Sequence, residues 1–141
     1  MSGRGMKQKG DNYERELAAY INEHTSLQSF RAPLSGGGHV GLSGGADILG
    51  VPSLFIEAKR VERLNFHDAM RQAETNIIKT QSDDVAIVMN RKNRMKTGDS
   101  LCLLRLDDFL VFYNAFLREK GFVKDEGQDE ALPTLQQDSE S

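Results

Sequence analysis

The feature that most constrains the fold of this chain is the alternating segment Leu54–Lys59. Its even positions are aliphatic or small, whereas Phe55, Glu57 and Lys59 occupy the odd positions, and a period of two is typical of a β-strand. A second short strand is predicted over Ala46–Gly50, and the sequence Val-Pro-Ser between the two segments predicts a tight turn. We therefore expect two neighbouring strands at the centre of the fold.

Helices and further strands are predicted on both sides of these two strands. The order is one helix, three strands, one helix, one strand, and then a further strand and helix. A mixed sheet flanked by helices is the natural way to bury this order, so we expect an α/β fold. The first helix is predicted from a cap at Asp11 or Asn12 to about His24, the second from a cap at Asn65 to about Thr80, and the last over Phe109–Leu117 after a cap at Asp107 or Asp108; the other strands are Leu27–Ala32, Val85–Met89 and Leu101–Leu106.

Helical spacing also predicts which residues are buried. Apolar residues recur on one face of the first helix and on one face of the second, as in amphipathic helices that pack against a core. The last helix is apolar on nearly every side, so it needs burial either against its own sheet or against another subunit. The predicted buried positions are Tyr13, Leu17, Tyr20 and Ile21 in the first helix and Phe66, Met70, Ala73 and Ile77 in the second.

The charge of the chain is unevenly distributed along its length. The formal net charge is −3, but the last segment, Lys124–Ser141, holds six acidic residues and one basic residue. The first 123 residues are therefore mildly basic, which is compatible with nucleic acid as a partner. We expect a flexible basic arm over Met1–Gly10, one folded domain over residues 11–123 and a disordered acidic tail over residues 124–141.

Several classes of protein are disfavoured by the sequence. No apolar run is long enough to span a bilayer, and no apolar segment follows the basic N-terminus as in a secretory signal. The single cysteine, Cys102, is predicted to lie in the core and fits a reducing cytoplasm. The glycine-rich segment Ser35–Gly45 lacks the Gly-Lys-Ser/Thr ending of a nucleotide-binding loop, so no nucleotide cofactor is expected.

The strongest chemical signal is Asp47, followed after nine residues by Glu57, Ala58 and Lys59. Neighbouring strands lie about 4.8 Å apart, so carboxylates from two such strands can share one cation. Mg²⁺ prefers oxygen ligands and takes only one or two carboxylates from a protein; the Ala58 carbonyl offers a further ligand. Lys59 would orient the attacking water or stabilise negative charge in the transition state. Alternatively, Glu57 and Lys59 face solvent on an edge strand and Asp47 belongs to a turn.

Glu14 and Gln72 are secondary candidates on the helices that flank the strands. Glu14 lies at the border of the apolar face of the first helix, where it would face the metal; alternatively, it forms a capping box with Asp11. Gln72 is placed to hydrogen-bond near Lys59, or it is a surface glutamine. An acid at the border of a buried face needs a partner, which favours a functional role for Glu14.

Four motifs in this order resemble the archaeal-type Holliday junction resolvases, a family of the PD-(D/E)xK nuclease superfamily. The resemblance covers about residues 9–60 in motif and extends weakly to the rest in topology. The set of four is much more specific than any one motif alone. The motifs are Lys9-Gly10-x-x-x-Glu14-Arg15-Glu16-Leu17, then Arg31-Ala32, then Ala46-Asp47-Ile48, and then Ile56-Glu57-Ala58-Lys59.

The resemblance implies a restriction-endonuclease-like core of the order αβββαβ and a homodimer that cuts branched DNA with Mg²⁺, for which Mn²⁺ is expected to substitute. Carried onto this sequence, Glu14, Asp47 and Glu57 would be metal ligands and Lys59 the catalytic lysine. Small phage recombination nucleases are similar too, so a cytoplasmic protein encoded by a prokaryote or a phage is expected.

Polar and basic residues around these motifs are candidates for DNA contact. The resembled family carries a serine just before its aspartate, for which Ser43 is the nearest candidate and Ser35 an alternative. Backbone N–H groups of the glycine-rich loop are suited to phosphate, although a plain connector is an equally good interpretation. The predicted DNA-binding residues are Arg31, Ser35, His39, Ser43, Arg60 and Arg63.

Two alternatives to a junction-resolving nuclease stay open at this point. The first is a nuclease that cuts ordinary duplex or flap DNA. The second is a DNA-binding accessory protein whose site has lost its chemistry, against which the complete set of Asp47, Glu57 and Lys59 argues.

Overall fold

The computed structural model describes residues 3–33 and 45–122, which form an α/β structure with a mixed five-stranded sheet and three helices. The predicted order of helices and strands is confirmed. The elements are α1 (Gly3–His24), β1 (Phe30–Arg31), β2 (Ile48–Leu49), β3 (Leu54–Lys59), α2 (Phe66–Lys79), β4 (Val85–Asn90), a 3₁₀ turn (Thr97–Asp99), β5 (Leu101–Leu103) and α3 (Leu106–Glu119).

The strands lie in the order β1-β2-β3-β4-β5, which places β3 at the centre of the sheet. The β3–β4 pair is parallel, and the other three pairs are antiparallel. Parallel neighbours require a crossover, and α2 provides it between β3 and β4. The parallel register runs from Leu54 beside Val85 to Lys59 beside Asn90, so β3 is paired with β4 over its whole length.

Helix α2 packs on the sheet and closes its core. Ala69, Met70 and Ala73 contact Phe55 on β3 and neighbouring small residues of β4. The predicted N-cap is confirmed, because the Asn65 side chain accepts a hydrogen bond from the backbone N–H of the third helical residue at 3.0 Å. One predicted core residue of this helix is wrong.

Phe66, which helical spacing predicted to be buried, is 40% exposed. It is the first residue of α2, and burial along this helix begins one turn later, at Ala69 and Met70. A periodic pattern gives the face of a helix but not the point along its axis at which the sheet begins to cover it.

Helix α1 begins at Gly3, so the flexible arm predicted over Met1–Gly10 is wrong for residues 3–10. Glycines suggested an irregular segment, but they are interleaved with Met, Lys and Gln, which favour helix. A helix already nucleated further along the chain extends readily through such residues. On its buried face, Tyr13, Leu17 and Ala18 are enclosed. The predicted burial of Tyr20 is wrong, because this residue is 38% exposed and stacks on His24.

A glycine sets the approach of β1 to the turn that follows β2. Gly50 has φ +81°, and a Cβ atom at this position would lie 2.9 Å from the backbone oxygen of Gln28. Any other residue there would be strained and would also collide with this oxygen. The predicted turn then follows, closed by a hydrogen bond from the Leu54 N–H to the Val51 oxygen at 3.3 Å.

Two predictions about the C-terminal elements are wrong. Cys102 is exposed rather than buried, because β5 is a three-residue strand at the edge of the sheet. Helix α3 begins at Leu106, before the predicted caps Asp107 and Asp108, and its N-cap Arg105 makes no side-chain capping bond. The two aspartates lie instead in the first turn, where acidic side chains favour the positive end of the helix.

The chain divides into two compact units, and the single domain over residues 11–123 stays a prediction. The first is Met1–Leu103, which contains the sheet with α1 and α2, and the second is Leu104–Ser141, which contains α3. None of the residues of α3 is buried. The tail predicted over residues 124–141 lies outside the described residues, and no described helix has the length and apolarity needed to cross a membrane.

Candidate functional site

Asp47 makes three hydrogen bonds, two of them to β3 and one to Ala32, the residue after β1. Its backbone N–H donates to the Ile56 oxygen at 2.9 Å, and its backbone oxygen accepts from the Ala32 N–H at 2.8 Å. Its side-chain Oδ2 accepts from the backbone N–H of Ala58 at 2.8 Å. The carboxylate therefore takes the place of a backbone acceptor just beyond the Ile48–Ile56 pair, where the pairing of β2 with β3 ends.

Glu57 is a buried acid with one unmet oxygen. Glu57 is 6% exposed, and its Oε1 atom is buried without a hydrogen-bond partner among the residues that the structure describes. Its Oε2 lies 3.4 Å from Lys59 Nζ. Burial raises the pKa of Glu57, Lys59 lowers it, and the nearby Glu14 raises it further. A buried carboxylate oxygen without a donor calls for a cation or a proton.

Lys59 is the last residue of β3, and its side chain reaches α2. Its ammonium group donates to Gln72 Oε1 at 3.2 Å while it also pairs with Glu57. The predicted hydrogen bond between Gln72 and Lys59 is present, and Gln72 is also exposed, as the alternative of a surface glutamine had it. Two partners on different elements hold the ammonium group in one place at the end of the central strand.

Glu14 faces this group of charges from α1, and Arg31 on β1 pairs with it. Arg31 Nε donates to Glu14 Oε1 at 2.9 Å, and Arg31 Nη2 forms an ion pair with Asp11 Oδ1 at 2.8 Å. Burial and the negative charge of Asp47 raise the pKa of Glu14 to about 7, although Arg31 opposes this shift. Arg31, predicted to contact DNA, therefore has two acidic partners within the chain.

The three acids affect one another electrostatically. Burial raises the pKa of Asp47, the negative charge of Glu57 raises it further, and the Ala58 N–H and Lys59 lower it. The negative charge of Asp47 raises the pKa of Glu14, and the negative charge of Glu14 raises the pKa of Glu57. Such mutual repulsion shows that the three carboxyl groups share one region, which Lys59 and Arg31 border with positive charge.

The acids are not preassembled into a closed metal cage. Within residues 3–33 and 45–122, no group of three or more His, Cys, Asp or Glu side chains is arranged to hold a metal ion. Mg²⁺ needs less, because it usually keeps several waters and takes one or two protein carboxylates. Asp47 and Glu57 suit that requirement, and the unmet Oε1 of Glu57 is the atom that a cation would satisfy.

The predicted DNA-binding residues are placed less completely. Ser35, His39 and Ser43 lie outside the described residues. Arg63 is exposed between β3 and α2, and Arg60 follows β3 directly, with Nη2 3.4 Å from Asn93 Oδ1. Their contact with DNA stays a prediction.

Sequence reasoning missed Asn90, the last residue of β4. It is 3% exposed, and its side-chain amide donates to the backbone oxygens of Lys59 at 2.9 Å and Val61 at 3.0 Å. A polar residue that ends an otherwise apolar strand was the available signal. Because its two acceptors flank Arg60 in sequence, Asn90 fixes the path of the chain as it leaves β3.

Comparisons of the chain with protein-family models, curated proteins and solved structures found no match. The chemistry of this site therefore rests on its own geometry. Three acids in a poorly solvated region favour a hard cation, and an ammonium group beside them favours an anionic ligand.

Proposed function

We propose that this chain is a Mg²⁺-dependent endodeoxyribonuclease that hydrolyses phosphodiester bonds in branched DNA, as a Holliday junction resolvase does. One observation carries the proposal: Asp47 and Glu57 lie beside Lys59, and a buried oxygen of Glu57 has no partner among the described residues. A cation can satisfy this oxygen, and a phosphodiester is an anion that both a cation and an ammonium group attract.

The fold supports this assignment at the level of topology. Helix α1, strands β1–β3, helix α2 and strand β4 follow the αβββαβ order that the motif resemblance implies for a restriction-endonuclease-like core. The four motifs also meet in space, because Glu14, Arg31, Asp47 and Glu57 interact directly or electrostatically.

The residues that would hold Mg²⁺ are Asp47, Glu57 and the carbonyl of Ala58, with Glu14 as an additional carboxylate. The Lys59 oxygen accepts from the Arg91 N–H, so odd residues of β3 direct their backbone groups toward β4. The Ala58 N–H points the other way, to Asp47, and the N–H and C=O of one strand residue share an edge. The Ala58 carbonyl therefore faces the side of the strand on which Asp47 lies.

When bound, Mg²⁺ lowers the pKa of a coordinated water and neutralises charge on the phosphate. The chain itself supplies orientation. Gln72 and Glu57 hold the Lys59 ammonium group, which stabilises the negative charge that develops on the phosphate oxygens as water attacks phosphorus. Arg31 balances the charge of Glu14 and Asp11 at the border of the site.

We also propose that the chain acts as a homodimer. Helix α3 exposes aromatic rings, and a symmetric partner would present the same surface to them. Two copies bring two sites, which suits paired cuts in a branched substrate. The exposed rings are Phe109, Phe112, Tyr113 and Phe116, each 43–51% exposed.

The test is a cleavage assay on a synthetic four-way junction and a matched linear duplex, each with Mg²⁺ and with EDTA. The wild-type chain is expected to cut the junction only with Mg²⁺. Asp47→Asn and Lys59→Ala are each expected to lower the rate by about 10²–10⁴-fold while junction binding stays measurable. Lys79→Gln, at an exposed position at the end of α2, is the charge-matched control and should cleave normally.

Each alternative has its own outcome in this assay. Full activity of both site variants contradicts the residue assignment. Equal cleavage of junction and duplex identifies a nuclease without junction selectivity, and metal-independent binding without any cleavage identifies an accessory protein.

A further inference from the structure

A cavity of about 360 Å³ lies beside the candidate site, within the first unit of the chain. It shares Ala58 and Lys59 with that site, and its other walls come from α1, from the residues after β3 and from the residues after β4. A cavity of this size is within the range that holds small organic ligands. The proposed nuclease function does not use it.

The walls of this cavity carry more positive than negative charge. Lys9, Lys59 and Arg60 line it, and Glu62 is the one acid among its lining residues. Glu62 is itself engaged, because its Oε2 accepts from the backbone N–H of Asn93 at 2.6 Å. Among the described residues, neither Lys9 nor Arg60 forms an ion pair within 4.0 Å. The cavity therefore attracts an anion.

Arg60 is incompletely satisfied by the protein. Its hydrogen bond to Asn93 is long, at 3.4 Å, and its Nε is buried without a hydrogen-bond partner among the described residues. Guanidinium groups prefer paired acceptor oxygens, which a phosphate presents in matching geometry. Asn90 anchors the backbone on both sides of Arg60, so this side chain starts from a fixed position.

The remaining walls suit the rest of a nucleotide. Val61 and Ala58 are apolar, and Gly10 leaves open space, since a Cβ atom there would meet nothing within 4 Å. Sugar and base surfaces can lie against such walls while a phosphate meets the cations. Lys59 belongs to both sites. A nucleotide in this cavity would therefore be a neighbour, along the same DNA strand, of the phosphodiester bond at the candidate metal centre.

We propose that this cavity binds a phosphate-bearing nucleotide of the DNA strand that is cut, adjacent to the scissile bond. The proposal rests on the proposed nuclease function and adds a substrate subsite to it. The phosphate belongs either to the 5′ end of a strand or to the interior of the chain, and the two sources share the same chemistry.

The test measures equilibrium binding to the full chain in EDTA, so that cleavage plays no part. The probes are fluorescently labelled thymidine tetranucleotides with and without a 5′-phosphate, with thymidine and inorganic phosphate as competitors. Arg60→Gln is expected to weaken binding by about 10- to 100-fold, the usual effect of one charge-assisted contact. Lys79→Gln removes the same charge at an exposed position that does not line the cavity, and its binding should match the wild type.

Gly10 offers a pair of variants that differ only in charge. Gly10→Asp and Gly10→Asn have side chains of nearly the same shape, and both enter open space. Gly10→Asp is expected to bind the tetranucleotide more weakly than Gly10→Asn by about tenfold, because only the aspartate repels phosphate. Thermal unfolding of both variants checks that they are folded.

The outcomes separate this inference from the proposed function. Equal binding by Gly10→Asp and Gly10→Asn, or wild-type binding by Arg60→Gln, overturns the subsite even where junction cleavage is intact. A third outcome is that neither Arg60→Gln nor Gly10→Asp weakens binding and that thymidine competes whereas inorganic phosphate does not. The cavity would then bind the base rather than the phosphate, which also overturns the subsite. A preference for the 5′-phosphorylated probe assigns the site to a strand end, and equal binding of the two probes assigns it to an internal phosphate.

Discussion

At the scale of single residues, the buried acids of the candidate site lower the stability of the folded chain when they are ionised. Glu14, Asp47 and Glu57 all have a raised pKa, and in each case burial is the largest cause. A raised pKa means that the folded chain holds a proton more firmly than the unfolded chain does. Charge is therefore concentrated where it opposes folding, a cost that proteins accept at functional sites.

The pH dependence of stability follows from these shifts. Between the ordinary pKa of a carboxyl group, near pH 4, and about pH 7, the folded chain binds more protons than the unfolded chain, so the free energy of unfolding falls as pH rises. We expect the melting temperature in EDTA to fall from about pH 5 to about pH 7. Circular dichroism melts measure it. A melting temperature that rises over this interval contradicts the assigned shifts.

Asp47→Asn separates charge from hydrogen bonding at this position. Asparagine keeps an oxygen for the Ala58 N–H but loses the negative charge beside Glu57. We expect a higher melting temperature than the wild type at pH 8 in EDTA, because a buried charge is removed. We also expect Mg²⁺ to raise the melting temperature of the wild type only, since binding to the folded state stabilises it. An equal Mg²⁺ effect on both proteins contradicts a role for Asp47 as a ligand.

At the scale of elements, the sequence predicted what local patterns determine. The alternation of Leu54–Lys59 and the cap at Asn65 were confirmed as β3 and the start of α2. What failed depended on distant parts of the chain. The exposure of Cys102 reflects the edge position of β5, and no local pattern shows which strand forms an edge.

The candidate site shows the same division. Alternation placed Glu57 and Lys59 on one face of β3, and the ion pair between them agrees with it. The contact of the Asp47 carboxylate with a backbone N–H, and the pairing of Arg31 with two acids, could not be predicted. Both depend on how short strands and a helix approach one another in three dimensions.

Asn90 links two elements, and we expect it to act as a positioning residue. Asn90→Leu removes both donors to the Lys59 and Val61 oxygens and should lower the free energy of unfolding by about 2 kcal/mol. Because the backbone at Lys59 is then less well held, kcat for junction cleavage should fall more than KM rises.

Asn65→Ala is the control for Asn90→Leu. It removes the N-cap bond of α2 and should cost about 1 kcal/mol of stability. At a temperature where both variants are folded, Asn65→Ala should cleave at close to the wild-type rate. A purely structural role for Asn90 would instead leave kcat unchanged in both variants, which denaturant melts and initial-rate measurements would show.

At the scale of the whole molecule, α3 carries four exposed aromatic residues, Phe109, Phe112, Tyr113 and Phe116. Its rings stack along the helix, with centroids 5.7 Å apart for Phe109 and Tyr113 and 6.2 Å apart for Tyr113 and Phe116. Aromatic surfaces of this kind are enriched at protein interfaces. The proposed homodimer is therefore expected to use α3.

Phe109→Ser combined with Phe116→Ser tests this expectation. The wild-type chain should elute with the mass of a dimer in light scattering, and the double variant with the mass of a monomer, because the aromatic anchors of the interface are removed. Glu119→Ser, an exposed residue at the end of the same helix, should stay dimeric. A wild-type monomer, or a double variant that stays dimeric, contradicts the assignment of α3.

The carboxylate that stands in for a backbone acceptor at Ala58 has an evolutionary consequence. The backbone N–H of Ala58 needs only an oxygen acceptor, and a side-chain amide provides one as well as a carboxylate does. Under the proposed function, replacing one carboxylate oxygen by an amide nitrogen would thus remove the catalysis and keep the fold. Under the proposed function, a nuclease and a DNA-binding protein that does not cut would therefore differ on this scaffold by the single substitution Asp47→Asn, with the fold kept in both.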